Sequence, residues 1–318
     1  MSRVRLGAVS YLNARPCVVG LDRDPRFDLR FDLPSRCASL LHADSIDVGL
    51  IPSIEYLRGP GGAAGYGIVP DVAIASTGQV ASVALYTTRP IEDVRSIALD
   101  TSSRTSVALT RVLCARAFHI DPRFEPSGPD LPTMLGRCDA ALLIGDAALL
   151  IDHAAVRLRP ARLNPGTASD DTSTSQPEAS PHAPLDGSGW AAIEKIDLGE
   201  VWTATTGLPF VYAFWAGRLG SLSPDEVSAI QAARDAGVAD SDRVAREYFG
   251  DPALHGLGVR YLRDNIKYHL GDNELAGLER FYRYAAELGL VPEPAGLRLF
   301  EAGRGTRPAK RERLVPHE

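Results

Sequence analysis

Short apolar runs recur along the first half of the chain, each closed by polar or turn-forming residues. The pattern predicts a strand over residues 4–9, running into Ser10-Tyr11-Leu12-Asn13-Ala14-Arg15-Pro16, a polar loop that opens a helix. Further strands are expected over 46–51, stopped by Pro52-Ser53, and over 72–75. Residues 80–86 alternate and end at Thr87-Thr88-Arg89-Pro90. Strands over 97–99 and 140–144 follow, the last closed by Gly145-Asp146. Between them, Ser35 after Pro34 reads as the N-cap of a helix carrying Cys37, Leu40 and Leu41, and residues 107–117 read as another helix. Strands alternating with helices argue for an α/β fold with a largely parallel sheet, with a second α/β unit beginning near residue 80.

The rhythm breaks over residues 164–189, rich in Ser, Thr, Pro and Asp, where Leu185 is the one large aliphatic side chain. Such a stretch buries too little surface to offset chain ordering, so it is expected to be a disordered insertion, and His182 within it is not expected to be a ligand. The pattern then predicts an apolar strand over 210–215. A helix should start at the capping box Ser223-Pro224-Asp225-Glu226 and run to about residue 236. Leu275, Leu278, Phe281, Tyr282, Ala285 and Leu288 recur at helical spacing, which predicts a helix over 274–288. Residues 303–318 carry no core pattern and are expected to be a disordered tail.

Composition narrows the function. The 318 residues are 45% apolar and 23% charged, the balance of a globular protein, and length alone favours two domains. A net charge of −6 argues against general nucleic-acid binding, which needs a basic face. No apolar run reaches membrane-spanning length, so no membrane partner is expected. The N-terminus lacks the apolar core of an export signal, which predicts a cytoplasmic protein with its four cysteines reduced. Lysines are scarce, only Lys195, Lys267 and Lys310, which disfavours Schiff-base chemistry. The chain has no Gly-x-Gly-x-x-Gly after a strand, no phosphate-binding loop, no Gly-x-Ser-x-Gly and no paired histidine spacing. No cofactor and no metal are expected.

Candidate chemistry sits at predicted strand ends. Ser10-Tyr11-Leu12-Asn13, Pro52-Ser53, Thr101 to Ser106 and Thr205-Thr206-Gly207 all carry hydroxyl or amide groups where a strand meets a helix or turn. Ligands of open α/β sheets bind beyond the carboxyl ends of strands, and helix N-termini receive carboxylates well. Any one of these residues is as readily explained as a cap of its own helix; four such loops together point to a shared anion-binding cleft.

Leu6-Gly7-Ala8-Val9-Ser10-Tyr11-Leu12-Asn13-Ala14-Arg15-Pro16 resembles the opening of the chorismate dehydratase family, which acts in the futalosine route to menaquinone. Asp47 to Tyr56, Val83-Ala84-Leu85-Tyr86, Asp100 to Ser106, Ile144 to Leu149 and Thr206-Gly207-Leu208-Pro209-Phe210 extend the likeness over about residues 4–290, outside the 164–189 insertion. The resemblance implies the two-lobed fold of type 2 periplasmic solute-binding proteins: two α/β lobes joined by two crossing strands, with the ligand between them. Residues 80–88 and 208–215 suit the crossings, giving lobe I as 1–84 plus 210–318 and lobe II as 85–209. The implied reaction removes water from chorismate to give 3-[(1-carboxyvinyl)oxy]benzoate, with chorismate as the small-molecule partner.

On this reading Ser10 and Asn13 stand near the reacting ring, with Tyr11 beside them. Ser53, Ser103, Arg104, Thr105 and Ser106 are candidate carboxylate anchors, Thr206 and Gly207 close the cleft, and Ser82 faces the hinge. No His or Glu in these loops is an evident general base; Asp146 and Glu55 are the available carboxylates, and each suits a cap or a solvent-facing position equally well. The substrate's own enolpyruvyl carboxylate is close to the ring proton and is expected to take it. The competing readings are a non-catalytic solute-binding protein, the related 1,4-dihydroxy-6-naphthoate synthase and a ligand-sensing regulator domain. The missing export signal, the opening loop and the lack of a helix-turn-helix segment weigh against them in turn.

Overall fold

The computed structural model describes residues 3–62, 65–156, 192–294 and 296–302. The insertion expected over 164–189, with His182, and the tail expected from 303 lie outside the described residues. Ten strands are described: β1 (Val4–Val9), β2 (Phe27–Asp32), β3 (Val48–Pro52), β4 (Tyr66–Ser76), β5 (Val83–Thr87), β6 (Ser96–Asp100), β7 (Arg123–Ser127), β8 (Ala140–Ile144), β9 (Glu194–Asp197) and β10 (Phe210–Arg218). They form two five-stranded sheets, in the orders β2-β1-β3-β10-β4 and β7-β6-β8-β5-β9.

Each sheet is parallel on one side and antiparallel on the other, which corrects the expectation of a largely parallel sheet. β1 runs parallel to β2 and β3, whereas β10 runs antiparallel to β3 and β4. In the second sheet β6 is parallel to β7 and β8, and β5 is antiparallel to β8 and β9. The reversal comes from the exchange of chain between sheets: after β4 the chain leaves the first sheet for β5, and it returns as β10. The passages, residues 77–82 and 207–209, are short irregular segments. The residues expected as the first crossing strand divide between such a segment and β5, whose five residues all pair in the second sheet.

Among the described residues ten α-helices flank the sheets: α1 (Pro34–His42), α2 (Glu55–Arg58), α3 (Arg104–Leu113), α4 (Leu131–Leu135), α5 (Gly145–Leu150), α6 (Leu198–Thr206), α7 (Pro224–Ala239), α8 (Ser241–Tyr248), α9 (His255–Arg260) and α10 (Asp272–Glu287). α7 carries the expected capping box. Two helix starts differ from expectation. α1 begins at Pro34 with Leu33 in the cap position, and Ser35 donates its backbone N–H to the Ser102 carbonyl instead. α3 begins at Arg104, because the Ser103 hydroxyl accepts the Ser106 N–H and starts the helix three residues early. It gives way at Cys114 to a wide turn that ends on His119, at φ +54°.

The first passage is gripped by one buried carboxylate. Asp197 caps α6 by accepting the Gly199 and Glu200 N–H groups at 3.0 and 3.1 Å. The same side chain accepts the N–H groups of Val80 and Ala81 at 3.0 and 2.7 Å. Ala81 needs this support, since its φ of +66° is unfavourable for any residue with a Cβ. Lys195, its ammonium pKa lowered by burial, donates to the Ala81 carbonyl at 3.0 Å. The Thr203 hydroxyl accepts the Gly78 N–H at 2.8 Å.

α7 lies against the short 3₁₀ helix Leu12–Val18, which follows β1. At Gly237 an added Cβ would collide with backbone atoms of Pro16. Alanine would favour the helix by about 1 kcal/mol on intrinsic preference, but backbone overlap outweighs that gain. Gly237→Ala is expected to destabilise the fold by about 1–3 kcal/mol, measured as a lower urea midpoint at unchanged slope.

Candidate active site

The carboxyl ends of β1, β3 and β8 point toward the space between the sheets. There a cleft is lined from both sides. The first sheet contributes Val9, Pro52, Ile74, Tyr212 and Ala213; the second contributes Val83 and Ile144, with Ser82 from the passage before β5, Gly145 from the start of α5, Ser103 from the cap of α3 and Ser106 from its first turn. Tyr11 and Asn13 enter from the loop after β1. No lining side chain carries a charge at neutral pH. The polar groups are hydroxyls, one amide and two phenols, and burial raises the pKa of both phenols, so they remain donors.

Asn13 is the most distinctive of them. Its Oδ1 is buried and has no hydrogen-bond partner among the described residues. Its side chain approaches the fully buried Tyr261 phenol, whose hydroxyl donates to Ser82 Oγ at 2.6 Å. An unpaired buried carbonyl oxygen is costly, and one on a residue that lines a cleft is suited to accept from a ligand there. On the facing wall Ser103 caps α3 and Ser106 Oγ donates to Ser103 Oγ at 3.0 Å. These two serines therefore stand at the N-terminus of a ten-residue helix, where the peptide dipoles favour an anion.

Five of the expected site residues thus meet in the cleft: Tyr11, Asn13, Ser82, Ser103 and Ser106. The others are placed elsewhere. Ser10 is half-buried and offers its carbonyl to the Tyr248 hydroxyl and to Arg15. Ser53 and Thr105 are fully buried behind the lining: Ser53 Oγ donates to the Val211 carbonyl at 2.8 Å, and Thr105 Oγ1 accepts the Ile54 N–H at 3.1 Å. Arg104 turns away from the cleft, donating to Glu55 Oε2 at 2.6 Å and to Ser39 Oγ at 2.9 Å. Thr206 caps the end of its own helix by donating to the Trp202 carbonyl, and Gly207 supplies the left-handed residue that ends α6 at φ +71°.

The two carboxylates weighed as bases are both engaged. Glu55 is buried between Arg104 and Arg58. Asp146, on α5, accepts the Leu12 N–H at 3.2 Å on one oxygen and the Tyr248 hydroxyl on the other. Burial raises its pKa, opposed by those two hydrogen bonds.

Sequence reasoning missed Tyr212, which lies within the apolar run 210–215 and reads as core, and Tyr261, which stands between charged residues and carries no motif. Tyr212 does have a polar partner, Ser76 Oγ at 3.0 Å. A phenol in a buried run must find a partner, and that was the available signal.

A family model described as menaquinone biosynthesis matches residues 4–160 and 191–287. The chain is 32% identical over 290 residues to a chorismate dehydratase of Thermus thermophilus, covering 91% of this chain and 96% of the relative. Among solved structures, a protein of Archaeoglobus fulgidus aligns with a TM-score of 0.62 at 15% identity, over 91% of this chain and 98% of that one. The periplasmic aliphatic sulphonate binding protein of Escherichia coli aligns with a TM-score of 0.56 at 15% identity, over 100% and 98%. At that identity these structures establish the fold, α/β of the periplasmic-binding-protein kind.

The raised pKa of Asp146 has a definite sign in stability. The folded state holds the proton more tightly than the unfolded chain, so this contribution is complete at low pH. It is lost as pH rises from the ordinary carboxylate range through the raised value. Asp146→Asn cannot ionise, so its stability relative to the parent is expected to increase with pH across that window. Urea titrations of both proteins from about pH 4 to about pH 7 measure the difference; a constant difference would contradict the shift.

Proposed function

The chain belongs to the menaquinone biosynthesis family, and from that premise we propose that it acts as a chorismate dehydratase, converting chorismate to 3-[(1-carboxyvinyl)oxy]benzoate and water. The observation that carries the reading is the lining of the cleft: uncharged polar groups from both layers, among them Asn13, whose carbonyl oxygen has no partner among the described residues.

Chorismate carries two carboxylates, a ring diene and an allylic hydroxyl. Loss of the ring proton beside the ether oxygen leaves charge that spreads through the diene onto the ring carboxylate. Loss of the neighbouring hydroxyl then makes the ring aromatic, and the proton and hydroxyl leave together as water. In our reading Ser103, Ser106 and the N-terminus of α3 receive the ring carboxylate, so fixed dipoles oppose the charge as it grows. Asn13, able to donate and accept, orients the departing hydroxyl, with Ser82 beside it. Tyr11 closes the cleft over the ring.

Neither Asp146 nor Glu55 lines the cleft, which supports a base supplied by the substrate: the enolpyruvyl carboxylate takes the ring proton within the bound conformer. In this reading the lobes divide within residues 77–82 and 207–209, whereas the sequence alone suggests breaks after residues 84 and 209. We place the reaction in the cytoplasm, a reading supported by four cysteines that are all buried and unpaired.

Incubation of the purified chain with chorismate is expected to produce a new aromatic absorbance, and the absence of turnover would overturn the reading. Asn13→Ala is expected to lower kcat/KM by about 10²-fold, the usual scale for removing one group that meets developing charge. Asp146→Asn is expected to retain turnover. Loss of turnover in a folded Asp146→Asn protein that still binds chorismate would show that the base belongs to the protein.

A further inference from the structure

The loop that presents Asn13 is held at three consecutive residues by groups from two separate parts of the fold. The Ser10 carbonyl accepts the Tyr248 hydroxyl at 3.2 Å, from the C-terminal end of α8. The Tyr11 hydroxyl donates to Ser102 Oγ at 3.1 Å, in the loop before α3, and its ring lies against Gly145 so closely that a Cβ there would sit 2.9 Å from ring atoms. The Leu12 N–H donates to Asp146 on α5. Tyr248 completes the circuit, donating to the second oxygen of Asp146. Its pKa is raised, by burial first and by the Asp146 hydrogen bond next, so it keeps the proton that it shares between Asp146 and Ser10. The Arg15 guanidinium stands 5.1 Å from the Tyr248 ring and 4.3 Å from the Phe31 ring, closing the outer side.

Asp146 belongs to the second sheet's layer, and Tyr248 and the loop to the first. The hydrogen bonds of this one carboxylate therefore exist only while the two walls are together. From that geometry we infer that Asp146 and Tyr248 are positioning residues that couple closure of the cleft to the orientation of Asn13. Neither touches the substrate. When the walls part, Leu12 loses its acceptor and Tyr248 its shared bond, and the peptide carrying Asn13 is released. When they meet, Asn13 is turned into the cleft with its Oδ1 free of protein partners among the described residues. The function of this coupling rests on the proposed dehydratase reading, whereas the hold on the loop does not.

The test uses Tyr248→Phe, Asp146→Ala and Asp146→Asn in the full-length protein. Hydrogen exchange at the amides of residues 11–14, read without substrate, is expected to quicken at least tenfold in Tyr248→Phe and Asp146→Ala, with global unfolding midpoints close to the parent. With chorismate, kcat is expected to fall about tenfold or more in both, while KM changes less than threefold. Asp146→Asn, whose amide oxygen still accepts the Leu12 N–H, is expected to recover most of the lost rate. Unchanged exchange in both variants overturns the inference. So does a fall in stability whose folded fraction keeps the parental kcat, which would mark the pair as structural only. Quickened exchange in the variants of a parent protein that does not dehydrate chorismate sustains the hold on the loop and overturns the proposed function alone.

Discussion

The cleft depends on the four backbone N–H groups that converge on the buried carboxylate of Asp197. Two belong to the passage between the sheets and two to the first turn of α6. Those of Val80 and Gly199 are buried, and each would otherwise lack a partner at a cost of about 1–3 kcal/mol apiece. By gathering them on one side chain the fold fixes where β5 starts relative to β9 and α6. It also holds Ala81 in a backbone conformation it would not choose alone. Ser82, the next residue, thereby enters the cleft with its hydroxyl already accepting the Tyr261 proton.

The charged residues near the cleft serve its frame rather than its surface. Arg104 and Glu55 join α3 of one layer to α2 of the other, and Ser53 and Thr105 meet beside them with their oxygens 3.4 Å apart. Asp146 and Tyr248 tie the layers on another side. A ligand with two carboxylates would then be met by hydroxyls, an amide and helix dipoles. Neutral donors already oriented by the fold need little rearrangement when charge moves within the ligand, which is the condition under which electrostatic stabilisation is most effective. A guanidinium in the cleft would bind the resting dianion strongly but would follow charge migration less selectively.

The strands were legible where burial is complete or nearly so on both faces. Val4–Val9, Ser96–Asp100 and Ala140–Ile144 stand in the sequence as short, mostly apolar runs. The loops at their ends could be named for the same reason. What the loops' side chains do could not be read, because direction depends on partners far along the chain. Arg104 meets Glu55, 49 residues away, and Asp146 meets Tyr248, 102 residues away. A short-range pattern cannot tell a charge that faces a ligand from one that faces such a partner. Strand direction was hidden for a similar reason. The apolar run at 210–215 predicts a strand equally well whether it joins its neighbours parallel or antiparallel, and only its arrival from the other sheet decides the matter.

The position of β10 also sets the order in which the molecule can be assembled. It lies between β3 and β4, which do not pair with each other, so both keep open edges until residues 210–218 have been synthesised. By contrast, all the strands of the second sheet are complete by residue 197. During translation the second sheet can therefore close while the first, although begun earlier, still exposes one edge of β3 and both edges of β4. Such edges are open to pairing with other chains, so the nascent protein passes through an interval in which protection from aggregation must come from the ribosome or a chaperone, not from its own fold.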